Sequence, residues 1–182
     1  MLNSNQFKFI RTLPLAEVIN IWAINENAEN APHWTKFWKN MGLSSWEEWR
    51  KPYIDAISFS KDEWKLYKIL DPIMSIPEFR GGPYKGWHEK FYDGKILPKF
   101  KDMKVHPVAE QYYTQFPHKT TLIAWETDKG LVIIEGMHRC TGITYAWRNH
   151  LPIRSQVFIV TTECNFSDLP DFITNPPHQK NN

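Results

Sequence analysis

The chain has 182 residues, of which 42% are hydrophobic and 15% aromatic, enough to bury a core and to exclude disorder along the whole chain. The net charge is +2, from 22 basic and 20 acidic residues, which argues against a dedicated nucleic-acid clamp but leaves a local basic patch open. Only two cysteines are present, which excludes a disulfide-rich secreted scaffold.

The N-terminal region contains an apolar stretch that could be mistaken for a targeting segment. This stretch, Leu13–Ile24, is interrupted by Pro14 and by polar residues, so it lacks the continuous apolar core of a signal peptide. No other stretch approaches the roughly 18 apolar residues of a membrane span. We therefore expect a cytoplasmic protein with reduced thiols and no membrane partner.

The first 70 residues are expected to form a helical, aromatic-rich extension. Apolar residues at helical spacing follow Pro14 as far as residue 28, and a second helix is predicted at 34–41. Ser45 with Glu48 resembles a capping box, which predicts the start of a third helix.

A fourth helix is predicted from a second capping box, Ser60 with Glu63, and is expected to run to about Ile69. Six of the nine tryptophans fall within residues 1–70. Aromatic residues at helical spacing more often form a core than a ligand-binding surface, so we expect these tryptophans to be buried.

From residue 71 the composition changes towards proline and glycine. A short apolar run at 73–76 is followed by the glycine-rich loop 78–84, whose polar side chains could close over a ligand or form a plain surface turn. Residues 83–107 are expected to be mostly loop. One helix is predicted at 108–116.

The last third of the chain has the clearest pattern. Residues 120–126 (TTLIAWE) and 131–135 (LVIIE) are rich in strand formers, and the turn residues between them predict a hairpin. A helix is predicted at 137–150, and a third strand at 154–161.

The segment from Glu135 to Arg139 carries the most informative motif. A strand that passes through a glycine turn into a helix leaves backbone N–H groups at the helix start, where they attract an anion such as phosphate. Arg139 could fork onto phosphate oxygens and His138 could add a hydrogen bond. Glu135 could bind a metal or accept a proton. On spacing alone, a local ion pair of Arg139 and an ordinary surface histidine are equally open.

The hairpin, this motif, the helix and the strand after Pro152 together resemble the ParB/sulfiredoxin fold family, over roughly residues 118–162. Members carry a strand ending in Gly-x-x-Arg, commonly with an acidic residue before the glycine, and Glu135-Gly136-Met137-His138-Arg139 matches that pattern. Pro77-Glu78-Phe79-Arg80 is similar to an earlier Pro-x-x-Arg element of the family. Residues 1–70 have no counterpart.

The resemblance implies a site for nucleotide phosphates, with ATP or CTP and Mg²⁺ as the cofactors. The implied phosphate-binding residues are Gly136, Met137, His138, Arg139 and Arg80. The implied catalytic residues are Glu135 and Glu78, of which Glu135 is also the candidate Mg²⁺ ligand.

Two departures from the family narrow the function. Met137 stands where sulfiredoxins carry the catalytic cysteine, and a thioether cannot act as a thiolate nucleophile, which argues against sulfinic-acid reduction. ParB partition proteins carry a helix-turn-helix domain after this segment, whereas here only 32 residues follow His150. This difference argues against a function in DNA partition.

We therefore expect an α+β fold with a small mixed sheet at residues 71–165, a helical extension at 1–70 and a polar, proline-containing tail at 166–182. The favoured function is a nucleotide-binding, ATP-dependent phosphotransferase that acts on a small acceptor.

Two other functions stay open. One is a ParB-like DNA-binding or nuclease module in which Lys99, Lys101 and Lys104 contact the phosphates, although the balanced net charge weakens it. The other is a non-catalytic scaffold whose aromatic extension binds a protein partner.

Overall fold

The computed structural model describes residues 2–27, 38–57 and 63–171. Its helices and strands, in chain order, are β1 (Phe7–Pro14), α1 (Leu15–Asn27), α2 (Trp46–Ile57), β2 (Glu63–Ile69), α3 (Pro72–Ser75), α4 (Lys85–Phe91), α5 (Ala109–Thr114), β3 (Lys119–Thr127), β4 (Gly130–Glu135), α6 (Met137–Arg148) and β5 (Gln156–Glu163). Short 3₁₀ turns occur at Ile76–Glu78, Phe100–Asp102 and Phe166–Asp168.

The five strands form one mixed sheet in the order β1-β2-β5-β3-β4. Only β3 and β5 run parallel; the other neighbouring pairs are antiparallel. The central strands β3 and β5 supply much of the core, because their middle residues are buried on both faces of the sheet. The expected α+β class with a small mixed sheet is therefore confirmed.

The predictions for the last third of the chain are confirmed. The strands β3 and β4 pair as an antiparallel hairpin whose turn includes Gly130 at φ +107°, and α6 and β5 follow as predicted. The predicted helices at 14–28, from residue 45 onward and at 108–116 are confirmed as α1, α2 and α5. Pro52 lies inside α2 and does not end it.

The helix predicted from Ser60 to Ile69 is wrong, because residues 63–69 form the strand β2. Ser60 itself lies outside the described residues. Glu63 begins the strand, and Trp64 behind it is fully buried. Pairing with β1 on one side and β5 on the other supplies more hydrogen bonds and apolar contact than an isolated helix start.

Two more expectations for the N-terminal half need adjustment. Residues 7–14 form the strand β1, so residues 1–70 contribute two strands to the sheet as well as helices. Of the helix predicted at 34–41, residues 34–37 lie outside the described residues, while 38–40 are helical.

The region from 71 to 107 contains more helical structure than its composition indicated. The apolar run at 73–76 lies in α3 and the 3₁₀ turn after it, where the Asp71 side chain accepts a hydrogen bond from the Met74 amide. The expected loop at 83–107 contains the helix α4.

Four of the six tryptophans in residues 1–70 form core, as expected, and Trp38 is half-buried against it. Trp22, Trp46, Trp49 and Trp64 are all buried, and the rings of Trp22 and Trp46 meet edge to face at 6.1 Å. Trp34 lies outside the described residues. No helix within the described ranges is long and apolar enough to cross a membrane.

Candidate functional site

The candidate site lies where β4 ends and α6 begins, at Gly136. This residue adopts the left-handed conformation, with φ +104° and ψ 18°. A Cβ atom at this position would lie 2.4 Å from Cδ2 of Leu122, which is fully buried. Both the positive φ and the close approach of Leu122 require glycine at this position, so the turn depends on Gly136.

No side chain caps the N-terminus of α6. The first hydrogen bond of the helix runs from the Cys140 amide to the Gly136 carbonyl, at 2.9 Å. The amides of the first turn precede that bond and carry the positive end of the helix dipole. The turn therefore has the electrostatic character of an anion site.

Arg139 forms a buried ion pair with Glu135 beneath this turn. One terminal nitrogen of Arg139 donates to both carboxylate oxygens of Glu135, and the other donates to the Thr120 hydroxyl. Only 16% of the Arg139 side chain and 10% of the Glu135 side chain are exposed. The local pairing that spacing left open is thus present, and it places the guanidinium directly behind the turn.

Asn25 on α1 completes the environment of Glu135. Its side-chain amide donates to Glu135 Oε2 at 2.8 Å and to the Thr121 carbonyl at 2.9 Å. The pKa of Glu135 is raised, mainly because burial disfavours the charged carboxylate, while Arg139 and Asn25 oppose that shift. No local pattern in the sequence indicates Asn25, because its contacts bridge 96 and 110 positions along the chain.

The residue after Asn25 anchors a second buried cluster. The Glu26 carboxylate accepts hydrogen bonds from the indole nitrogens of Trp22 and Trp46, at 3.0 and 2.6 Å. It also accepts from Arg50, whose guanidinium lies 3.5 Å from the centre of the Trp49 ring. We call these five residues the Glu26 clasp. The pairs Trp22/Glu26 and Trp46/Arg50 are each four residues apart on one helix, a sequence signal that could have indicated it.

Two tyrosines connect the Glu26 clasp to the end of β4, and the first of them, Tyr53, has its ring 5.0 Å from the Arg50 guanidinium. The Tyr84 hydroxyl donates to the Ile134 carbonyl at the end of β4, and its ring lies 5.5 Å from that of Tyr53. Burial raises the pKa of Tyr84 well above its usual value, so the phenol is neutral and acts as a donor.

His138, the second residue of α6, belongs to a group of partly exposed rings. We define the ring cluster as Trp87, Phe91, His106, Tyr112 and His138. The His138 ring stacks on Tyr112 at 4.8 Å and lies 5.2 Å from Trp87 and 5.3 Å from His106. His138 is therefore not an isolated surface histidine.

The remaining motif residues point inward. Met137 is buried, and its sulfur accepts a hydrogen bond from the Gly82 amide at 3.2 Å. A Cβ atom on Gly82 would lie 2.1 Å from the Ile133 carbonyl oxygen, so the glycine loop packs against β4. Cys140 is fully buried, and burial raises the pKa of its thiol far above the usual value.

The side chains of Glu78 and Arg80 contact groups other than Glu135 and Arg139. Glu78 forms ion pairs with Lys99 and Lys101, at 2.8 and 2.6 Å, and their hydrogen bonds hold the pKa of its carboxyl below the usual value. Arg80 donates to the carbonyls of Lys129 and Leu97, at 2.8 and 2.9 Å.

The backbone of Arg80 nevertheless runs beside β4. Its amide donates to the Leu131 carbonyl at 2.7 Å, and its carbonyl accepts from the Ile133 amide at 3.0 Å. The Pro-x-x-Arg segment therefore guides the glycine loop along β4 towards the turn, while its two charged side chains are engaged elsewhere.

The lysines considered for contact with DNA are each paired with a carboxylate. Lys99 and Lys101 contact Glu78, and Lys104 contacts Asp93 at 2.7 Å. These ion pairs reduce the local positive charge that nonspecific DNA binding requires. Across the described parts of the chain, no three His, Cys, Asp or Glu side chains are grouped to hold a metal ion.

No protein-family model, curated protein or solved structure matches this chain.

Proposed function

We propose that the protein binds the phosphates of a nucleotide, ATP or CTP with Mg²⁺, at the start of α6. The observation that carries the proposal is the uncapped, left-handed glycine turn with His138 and Arg139 in the first helical turn behind it. Backbone amides, the positive end of the helix dipole and a guanidinium are then brought together at one helix start.

Each residue of the turn has a distinct role in this proposal. Gly136 provides the left-handed turn from which α6 begins, the first-turn amides contact the phosphate oxygens, and His138 adds a hydrogen bond. Arg139 shares its guanidinium between Glu135 and the incoming phosphate. Met137 contributes its backbone alone, because its side chain packs against Gly82.

The class of reaction that we propose is phosphoryl transfer to a small acceptor. The phosphorus–oxygen bond to the nucleoside diphosphate breaks, and a new one forms to the acceptor oxygen, whose proton passes to Glu135. A buried carboxylate with a raised pKa suits that role of general base. Glu78 and Arg80 receive no direct role, because their contacts lie with other groups.

We also propose that the fold is of the ParB/sulfiredoxin type. Support comes from the antiparallel hairpin, the glycine turn, α6 and the return strand β5 parallel to β3. The two free cysteines fit a cytoplasmic, reducing environment.

The test is a thermal-shift screen with ATP, CTP, GTP and ADP, each with Mg²⁺. A ligand at a hundredfold excess over its Kd adds about 2.7 kcal/mol to the free energy of unfolding, so a bound nucleotide raises the melting temperature clearly. If no nucleotide shifts the wild-type protein, the proposal is wrong.

Variants test whether the rise in melting temperature comes from binding at the glycine turn. Arg139→Ala removes the guanidinium and should abolish most of the shift, measured against the melting temperature of that variant without ligand. The matched control is Arg148→Ala at the other end of α6, where the guanidinium contacts the carbonyls of Lys101 and Met103. His138→Ala leaves the Glu135–Arg139 pair intact and should reduce the shift partially.

A further inference from the structure

We infer that the ring cluster holds the base of the nucleotide, so that the ligand is recognised as a nucleotide and not as phosphate alone. This inference rests on the proposed function at the start of α6. It adds a place for the base, supplied by α4, by the segment before α5, by α5 and by α6.

The rings lie close enough together to form one surface. Phe91 lies 4.5 Å and Trp87 5.2 Å from His106, with interplanar angles of 32° and 33°. His138 is nearly perpendicular to His106 at 5.3 Å and stacks on Tyr112. The cluster therefore packs through stacked, tilted and edge-to-face contacts among its own rings.

Partial exposure distinguishes the ring cluster from the core. Each of its five members is half-buried, whereas the tryptophans of the Glu26 clasp are fully covered. Partly exposed aromatic rings suit a flat ligand, because every nucleobase has a π-face that stacks on an aromatic side chain.

His138 joins the ring cluster to the phosphate turn. Its backbone belongs to the first turn of α6, and its ring belongs to the cluster. One ligand can therefore place its phosphates on the amides of the turn and its base on the neighbouring rings, with the ribose between them. A phosphorylated peptide or inorganic phosphate would leave the rings unused.

The chemistry of the cluster predicts weak discrimination among bases. Stacking tolerates all bases, whereas discrimination requires hydrogen bonds to the edge of the base. Burial and the nearby Lys90 lower the pKa of His106, so its ring is neutral at pH 7 and stacks as an uncharged surface.

The first experiment uses the wild-type protein and calorimetric titration with ATP, CTP and inorganic tripolyphosphate, each with Mg²⁺. Stacking should make ATP bind at least about tenfold more tightly than tripolyphosphate, with CTP close to ATP. Equal affinities for ATP and tripolyphosphate would overturn the inference and leave the proposed function standing. If neither ligand binds, the proposed function fails and the inference fails with it.

The second experiment tests whether the ring cluster causes the preference for ATP over tripolyphosphate. Trp87→Leu should lower the affinity for ATP by about tenfold and leave that for tripolyphosphate unchanged. Tyr112→Leu provides the same test if Trp87→Leu does not fold. The control is Trp147→Leu, another half-buried tryptophan, near the far end of α6. If both ring variants bind ATP as the wild type does, the base lies elsewhere and the inference is wrong.

Discussion

At the scale of single residues, Gly136 and the Glu135–Arg139 pair determine the shape of the candidate site. Gly136 turns the chain out of β4 in a conformation that other residues adopt only with strain. Arg139 then neutralises a carboxylate that would otherwise be buried without a cation. The two features depend on each other, because the turn brings residues 135 and 139 onto the same side of the helix start.

Replacing Gly136 by alanine should destabilise the protein by about 1–3 kcal/mol, since the left-handed backbone is strained for alanine and the new Cβ meets Leu122. The matched control is Gly130→Ala, where φ is +107° but no atom lies within 4 Å of the new Cβ. Urea unfolding would measure both variants. An equal loss in the two would show that the contact with Leu122 contributes nothing.

The raised pKa of Glu135 predicts the direction in which the stability of the protein changes with pH. A carboxyl whose pKa is raised on folding binds its proton more tightly in the folded protein, so this contribution to stability is present below the unfolded pKa. It is lost as the pH rises from the usual value of 4.5 through the raised folded value. Glu135→Gln removes the titration.

The stability of the wild type relative to Glu135→Gln should therefore fall as the pH rises from about 4, measured as paired melting temperatures. Surface acids with lowered pKa values, such as Glu78 and Asp93, have the opposite dependence, but they are common to both proteins and cancel in the difference. A wild type that gains stability relative to Glu135→Gln as the pH rises would contradict the raised pKa.

At the scale of elements, the Glu26 clasp joins α1 to α2. Its carboxylate receives donors from both helices, and Asn25 beside it reaches Glu135. The orientation of α1 therefore links the aromatic core of the N-terminal half to the candidate site. The strand β2 shows the same dependence on distant parts of the chain. A helix was predicted there, but pairing with β1 and β5 stabilises the strand.

Glu26→Ala should lower the free energy of unfolding by about 3–5 kcal/mol, because Arg50 and two indole N–H groups lose a buried acceptor. Glu47→Ala, at an exposed position on α2, is the control and should change stability by less than about 0.5 kcal/mol. Chemical denaturation compares the two variants. A loss for Glu26→Ala no larger than that for Glu47→Ala would show that the clasp is not stabilising.

At the scale of the whole molecule, the sheet combines strands from both halves of the chain. The strand β2 lies between β1 and β5, and β5 is also paired with β3. Residues 1–70 therefore supply a sheet edge, the buried Trp64 and a side chain of the candidate site, Asn25. A domain boundary at residue 71, as expected from the sequence, would therefore separate β1 and β2 from the other three strands of the sheet.

A chain that starts at residue 71 should not unfold cooperatively, because it leaves an edge of β5 unpaired and removes the helices that cover the core. Circular dichroism during heating would show this directly. A chain that starts at Gln6 is the control, since it keeps β1 complete and should retain a cooperative transition. A sharp transition in the shorter chain would show that residues 71–182 fold independently.

Local sequence by itself determined the hairpin, the glycine turn, α6 and β5, because turn residues, strand formers and helical periodicity act over a few neighbouring positions. Only the tertiary structure decided that residues 63–69 form a strand and that Glu78 and Arg80 engage other groups. The contact between Asn25 and Glu135 spans 110 positions. Such contacts depend on the path of the whole chain, which local preferences do not specify.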